Sequence, residues 1–253
     1  MKTQHKLNQE QYQDKSEAYL HSSVHAEGQE FGKMRMLIQQ HKLKNILDLG
    51  CGGGHVTYQI AAYADQVIAY DLTPEMVKLV QQQSKQKNFS HVIGQVGSAE
   101  QLAFDAATFD CIISRYSAHH WQNVGQAMLE MNRVLKQHGK IIIFDILGHS
   151  NPVFDSFLQS IEMIRDPSHV RDYSLQEWTH FAEYAGFRIE TIEKQHVALN
   201  FQHWVQRMQT PIEAINTIRY LQQAVSDEVR KYYQIQDDGS FTSEALYLVL
   251  SKN

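Results

Sequence analysis

The stretch Asn45 to Ala61, NILDLGCGGGHVTYQIA, puts four glycines into five residues between a short apolar run and a helix-like segment. Glycine reaches left-handed backbone conformations without steric cost and lets the main chain approach a ligand closely. A short apolar run bounded by such a turn reads as a strand buried on both faces. A buried strand, a glycine turn and a helix, in that order, open a doubly wound α/β sheet. Ligands of such sheets lie outside the C-terminal ends of the strands, where the strand order switches.

The rest of the chain supports that reading. Residues 1–32 are polar, with an amphipathic stretch around Tyr12 to Leu20, and 31–43 has helical periodicity through Phe31, Met34, Leu37 and Ile38. Strands are expected at 45–50, 66–72, within 91–104, from 109 and over 140–147. Helices are expected between them at 55–64, 73–88 and 125–139. Thr73 and Pro74 mark a helix start, and Gly139 a helix end. This alternation of apolar strands with helices implies a mostly parallel sheet covered on both faces. Beyond it, 148–185 reads as helical with a loop near 165–174, 187–199 as a strand, 201–233 as two or three helices, and 240–253 as a final strand.

Bulk composition narrows the function. With 253 residues, 43% hydrophobic and 20% charged, the chain can build one large domain around a sizeable core. A formal net charge of −5 offers no basic surplus, so a nucleic-acid partner is not expected. Cys51 and Cys111 lack a CxxC spacing and read as buried thiols, and no metal site is expected. The polar N-terminus lacks a signal-peptide pattern and no apolar run is long enough for a membrane span, so a cytoplasmic protein is expected.

Three kinds of ligand compete for the glycine turn. A P-loop needs a Lys after its glycines, and none follows here. A dinucleotide turn needs a small third residue, and the pattern puts His55 or Thr57 there. What fits is DxGxGxG: Asp48, Gly50, Gly52 and Gly54, with the acid at the end of the strand itself. A second acid, Asp71, ends the next strand in VIAYDLTPEMV.

These motifs resemble class I S-adenosylmethionine (SAM)-dependent methyltransferases, in particular the methyltransferase type 11 group, near the ubiquinone/menaquinone C-methyltransferases and small-molecule methyltransferases. The likeness is strongest over residues 40–147, where GSAEQLAF, SRYSAHHW and MNRVLKQHGKIIIFDI follow in the expected order. It implies a Rossmann-like seven-stranded sheet with an antiparallel last strand, a helical lid over 1–32, a methyltransferase domain over 33–253, and helical acceptor-pocket insertions at about 148–185 and 200–235. It also implies a cofactor set of Asp48, Gly50, Cys51, Gly52, Gly54, Asp71, Leu72, Met76, Ser98, Ala99, Glu100 and Arg115, with Tyr19 and His25 on the lid. Ser98 stands where many relatives carry Asp before the Ala-Glu pair.

His119 and His120 follow the fourth strand, where relatives place residues facing the methyl donor. A histidine titrates near neutral pH and can take a proton from an acceptor, which makes these two the catalytic candidates. His169, Arg171 and Tyr173 lie in the first insertion. Phe201, Trp204 and Met208 share a helical face that reads as core before substrate wall. The expected activity is transfer of the SAM methyl group to the O, N or C atom of a small organic acceptor, releasing S-adenosyl-L-homocysteine. The alternatives are methylation of a macromolecule such as tRNA or protein, a nicotinamide-dependent reductase, and a non-catalytic protein that binds SAM or S-adenosylhomocysteine.

Overall fold

A computed structural model describes residues 2–13, 15 and 28–252. The chain runs through α1 (Gln4–Tyr12), α2 (Gln29–His41), β1 (Asn45–Leu49), α3 (His55–Ile60), β2 (Gln66–Asp71), α4 (Pro74–Gln86), β3 (Val92–Val96) and β4 (Phe109–Arg115). It continues through α5 (Val124–Val134), β5 (Leu135–Ile146), α6 (Pro152–Arg165), α7 (Leu175–Tyr184), β6 (Phe187–Leu199), α8 (Phe201–Met208), α9 (Ile212–Ala224), α10 (Asp227–Tyr232) and β7 (Phe241–Lys252).

Seven strands form one sheet in the order β3-β2-β1-β4-β5-β7-β6. The first five are parallel, and β7 runs antiparallel between β5 and β6. The antiparallel last strand is therefore present, inserted beside the edge strand β6. Strand order switches between β1 and β4, so the crevice above their C-terminal ends is where a ligand is expected.

Strand alternation sorts side chains onto two faces. Leu47, Leu49, Tyr70, Ile112 and Ile143 pack with Met128 and Met131 of α5 and Trp178 of α7. Ile46, Val67, Ala69, Cys111 and Ile113 face the other way, against Phe31, Met34 and Ile38 of α2 and Val56 and Ile60 of α3. A third apolar cluster lies outside the sheet, where Phe154, Phe157 and Ile161 of α6 meet Trp204, Ile218 and Tyr233. The two late insertions thus build a small core of their own beside the strand ends.

Two local expectations need correction. The helix expected to run to Gly139 ends at Val134, and residues from Leu135 onward already belong to β5. Leu135 is buried and pairs with Phe109 across the sheet, and that pairing overrides the helical periodicity of the surrounding residues. Thr73 does occupy the expected N-cap position of α4 but makes no side-chain cap bond there, and its amide donates to the Asp71 carboxylate at 2.9 Å.

Candidate functional site

A cleft of about 700 Å³ opens above the C-terminal ends of β1, β2 and β4. Its floor is the glycine turn. Gly50 and Cys51 donate their amides to the Tyr70 carbonyl at 2.8 and 3.0 Å, which ties the turn to β2. Gly50 has φ +77°, and a Cβ there would collide with the Ser117 hydroxyl that follows β4. Gly52 has φ +47° and open space where a Cβ would stand. Main chain is thus bared toward the cleft at Gly52, a cradle that a side chain would fill.

Asp71 joins this floor. Its Oδ2 accepts from the Gly52 amide at 2.9 Å, and its Oδ1 accepts from the Thr73 amide at 2.9 Å. Each oxygen keeps a lone pair for a ligand hydroxyl. Burial raises the Asp71 carboxyl above its usual range, while the backbone donors pull it down. Leu72 and Met76 extend the same wall, and Ser98, Ala99 and Glu100 face it from the loop after β3. Glu100 holds that loop, since its Oε1 accepts from the amides of Gln122 and Asn123 at 2.8 and 3.2 Å.

Several expected residues stand elsewhere. Asp48 shares the sheet face of Ile46, which turns it toward α3 and away from the cleft. Its Oδ2 accepts from the Thr57 amide at 2.9 Å and the Thr57 hydroxyl at 2.5 Å. Burial pushes its carboxyl up to about 7 despite those bonds. Asp48 therefore clasps the turn to α3. Gly54 is the left-handed N-cap of α3, and Cys51 is buried under the turn. Arg115 shares the face of Cys111 and Ile113, so it packs against α2: it pairs with Glu30 at 2.7 Å and sits over the Phe31 ring. Tyr19 and His25 lie outside the described residues.

The residues the sequence did not single out come mainly from α1 and from the turn after β4. His5, Asn8 and Tyr12 of α1 line the cleft, and so do Ser117 and Trp121, whose indole N–H donates to the Ser117 hydroxyl at 3.1 Å. Tyr116, which the sequence did mark beside Arg115 as a contact to cofactor or acceptor, lines it too, at a positive φ of 52° that a side-chain-bearing residue rarely adopts. The β4 motif SRYSAHHW was visible in the sequence, but which of its side chains face the cleft depends on strand parity and on the turn.

A second cavity of about 540 Å³ abuts the cleft, and Tyr12, Tyr116 and His120 belong to both walls. Tyr12 donates its hydroxyl to Asp166 Oδ2 at 2.9 Å, and its oxygen lies 2.8 Å from His120 Nε2. Burial, with His119 adjacent, holds the His120 imidazole well below the ordinary histidine range, so it stays neutral. His119 faces the second cavity only. Its Nδ1 lies 2.6 Å from Asp145 Oδ1 at the end of β5, and the other Asp145 oxygen accepts from the Ala118 amide at 2.8 Å. Burial alone would lower His119, but the Asp145 carboxylate outweighs it and raises the imidazole to about 9. Asp145, Tyr12, Asp172 and Arg207 are the residues here that the sequence did not single out, whereas Tyr116 stands next to Arg115 in a motif it did mark. Only the fold brings them together.

The sheet order and the cleft at its switch point define a Rossmann-like nucleoside-binding architecture. Its glycine turn and its second-strand acid meet over one floor. A family model described as "Methyltransferase domain" matches residues 47–143. The chain is 40% identical over 197 residues to the uncharacterized protein YafE of Escherichia coli, covering 78% of this chain and 95% of that one. It is 33% identical to the uncharacterized methyltransferase YcgJ of Bacillus subtilis, covering 90% of each. The crystal structure of YcgJ superposes with a TM-score of 0.84, over 88% of this chain and 97% of that one. The ubiquinone/menaquinone biosynthesis C-methyltransferase UbiE of Citrifermentans bemidjiense is 30% identical over 113 residues, 43% of this chain and 48% of its own length. This protein belongs to the SAM-dependent methyltransferase family. Among the described residues, no helix is long and apolar enough to cross a membrane.

Proposed function

We propose that the chain binds SAM in the cleft and methylates a small organic acceptor seated in the adjoining cavity. The observation that carries this reading is the shared wall. A bared glycine main chain and the Asp71 carboxylate line one side of Tyr12, Tyr116 and His120, and His119, held from behind by Asp145, lines the other. The residues fit the cofactor: Gly50 and Gly52 leave room against the backbone, Asp71 keeps acceptors for the ribose hydroxyls, and Ser98, Ala99 and Glu100 flank the adenine end. When bound, SAM supplies an electrophilic methyl group on sulfur.

The chain's own part is to place and to deprotonate. Two reactants held in line can save up to roughly 7–11 kcal/mol of barrier. Helix α1 is the lid of this reading: it covers the cleft and excludes water from it. Asp145 holds His119 by Nδ1, which leaves Nε2 to take a proton from the acceptor. A general base of this kind contributes about 10²–10⁴-fold.

Calorimetric titration with SAM, S-adenosylhomocysteine and NADH, beside an Asp71→Ala variant, tests the reading. Micromolar binding of the two sulfur ligands, weakened at least tenfold in the variant, is expected. NADH binding alone would replace the methyltransferase reading with a reductase.

A further inference from the structure

The second cavity is more polar than an aromatic or aliphatic acceptor requires. Ile146, Val197, Leu199 and Trp204 line it, but so do Glu162, Arg165, Asp172 and Arg207. Most of these charges are already matched. Arg165 donates from Nε and Nη2 to Glu162 Oε2 at 3.0 and 2.8 Å and lies over the Trp204 ring. His119 is matched by Asp145.

Arg207 is left over, and Asp172 is only loosely matched, its Oδ2 3.9 Å from His169 Nε2. Arg207, at the end of α8, has no carboxylate within ion-pair distance among the described residues. Its Nε is buried without a hydrogen-bond partner. Asp172 is almost fully buried, and its Oδ2 is likewise without one. Burial, reinforced by Glu162, pushes the Asp172 carboxyl well above its usual range. The segment that carries it is rigid: Gln159 bonds both the Asp172 amide and its carbonyl, at 3.1 and 2.7 Å. Arg207 is half-buried, with its Nε turned into the protein and unpartnered, and the planar fork of a guanidinium matches an oxyanion.

We propose that the acceptor carries an anionic oxygen group, a carboxylate or a phosphate ester, and that Arg207 anchors it in the second cavity. The apolar wall of Ile146, Val197, Leu199 and Trp204 then takes the organic body. The proposal rests on the reading of this cavity as the acceptor site, and it adds the chemical class of the acceptor.

The test uses the full chain saturated with S-adenosylhomocysteine. It is titrated with benzoate, phenyl phosphate and the neutral benzamide, in the wild type and in Arg207→Gln and Arg207→Lys variants. At least one anion should bind at least tenfold more tightly than benzamide, and which one binds identifies the anionic group. Arg207→Gln should abolish that preference, and Arg207→Lys should keep part of it. A wild type that binds neither anion better than benzamide would overturn the proposal. So would an Arg207→Gln variant that still binds S-adenosylhomocysteine and keeps the full preference. Failure of S-adenosylhomocysteine itself to bind would instead sink the methyltransferase reading of the cleft.

Discussion

At the scale of single residues, three carboxylates, two of them singled out in the sequence, have different work. Asp71 faces the cleft, and both of its oxygens also hold main-chain amides. Asp71→Asn keeps the size but replaces one acceptor with a donor facing an N–H. SAM affinity should fall at least tenfold, about 1.4 kcal/mol, as read by calorimetry. Asp48 holds Thr57, and both bonds fall on a single oxygen, so an asparagine carbonyl can take them both. Its folded carboxyl titrates at about 7, above the ordinary 3.8. As pH rises from about 4 to 7 the unfolded chain loses that proton first, and the folded state loses stability. Denaturant unfolding of Asp48→Asn should therefore lack this decline, its advantage over wild type growing up to pH 7 and vanishing at pH 4. Parallel curves would remove the burial argument. Asp145 acts through His119. If the imidazole is the base, kcat/KM should climb with pH toward about 9, and Asp145→Asn should move that rise to lower pH by removing the charge that holds the proton. His119→Gln should cost about 10²–10⁴ in kcat and leave SAM affinity unchanged. A variant that loses affinity but keeps turnover at saturating SAM would place His119 with the cofactor instead.

At the scale of elements, α1 stands apart. Its buried residue is Tyr12, which shares a small apolar cluster with Met76 and Met208. It is otherwise docked by hydrogen bonds: Gln4 to the Ser168 carbonyl at 2.8 Å, Gln9 to the Leu72 carbonyl at 3.0 Å, and Tyr12 to Asp166. Few buried apolar contacts mean a low local opening free energy. Hydrogen exchange should find the α1 amides unprotected relative to those of β1 and β4 in the free protein. It should find them slowed once S-adenosylhomocysteine is bound beneath the helix. Equal protection of α1 and the central strands without ligand would contradict its reading as a lid.

At the scale of the whole molecule, the cleft draws on the sheet, the lid and the loops at once, so a ligand there should stabilise the fold cooperatively. S-adenosylhomocysteine at 100 times its Kd should add about 2.7 kcal/mol to unfolding. For a chain of this size that raises Tm by roughly 5–10 °C. NADH at the same concentration should leave Tm unchanged.

The sequence determined the sheet and the floor of the cleft by itself, because those signals are local. Apolar strands, a glycine turn that needs positive φ, and an acid at the end of β2 each act within a few residues of one another. It also placed the Ser98–Glu100 loop and the His119–His120 turn. Local pattern could not say which way Asp48 and Arg115 point, since that depends on which sheet face each shares with its neighbours and on which helix covers that face. Nor could it end α5 at Val134, because the pairing of Leu135 with Phe109 is a contact across the sheet. Tyr12, Asp145, Asp172 and Arg207 are dispersed along the chain, and no spacing links them. Only the tertiary structure decided that they meet around one cavity, where burial and neighbouring charges make them chemically different from the same residues in solution.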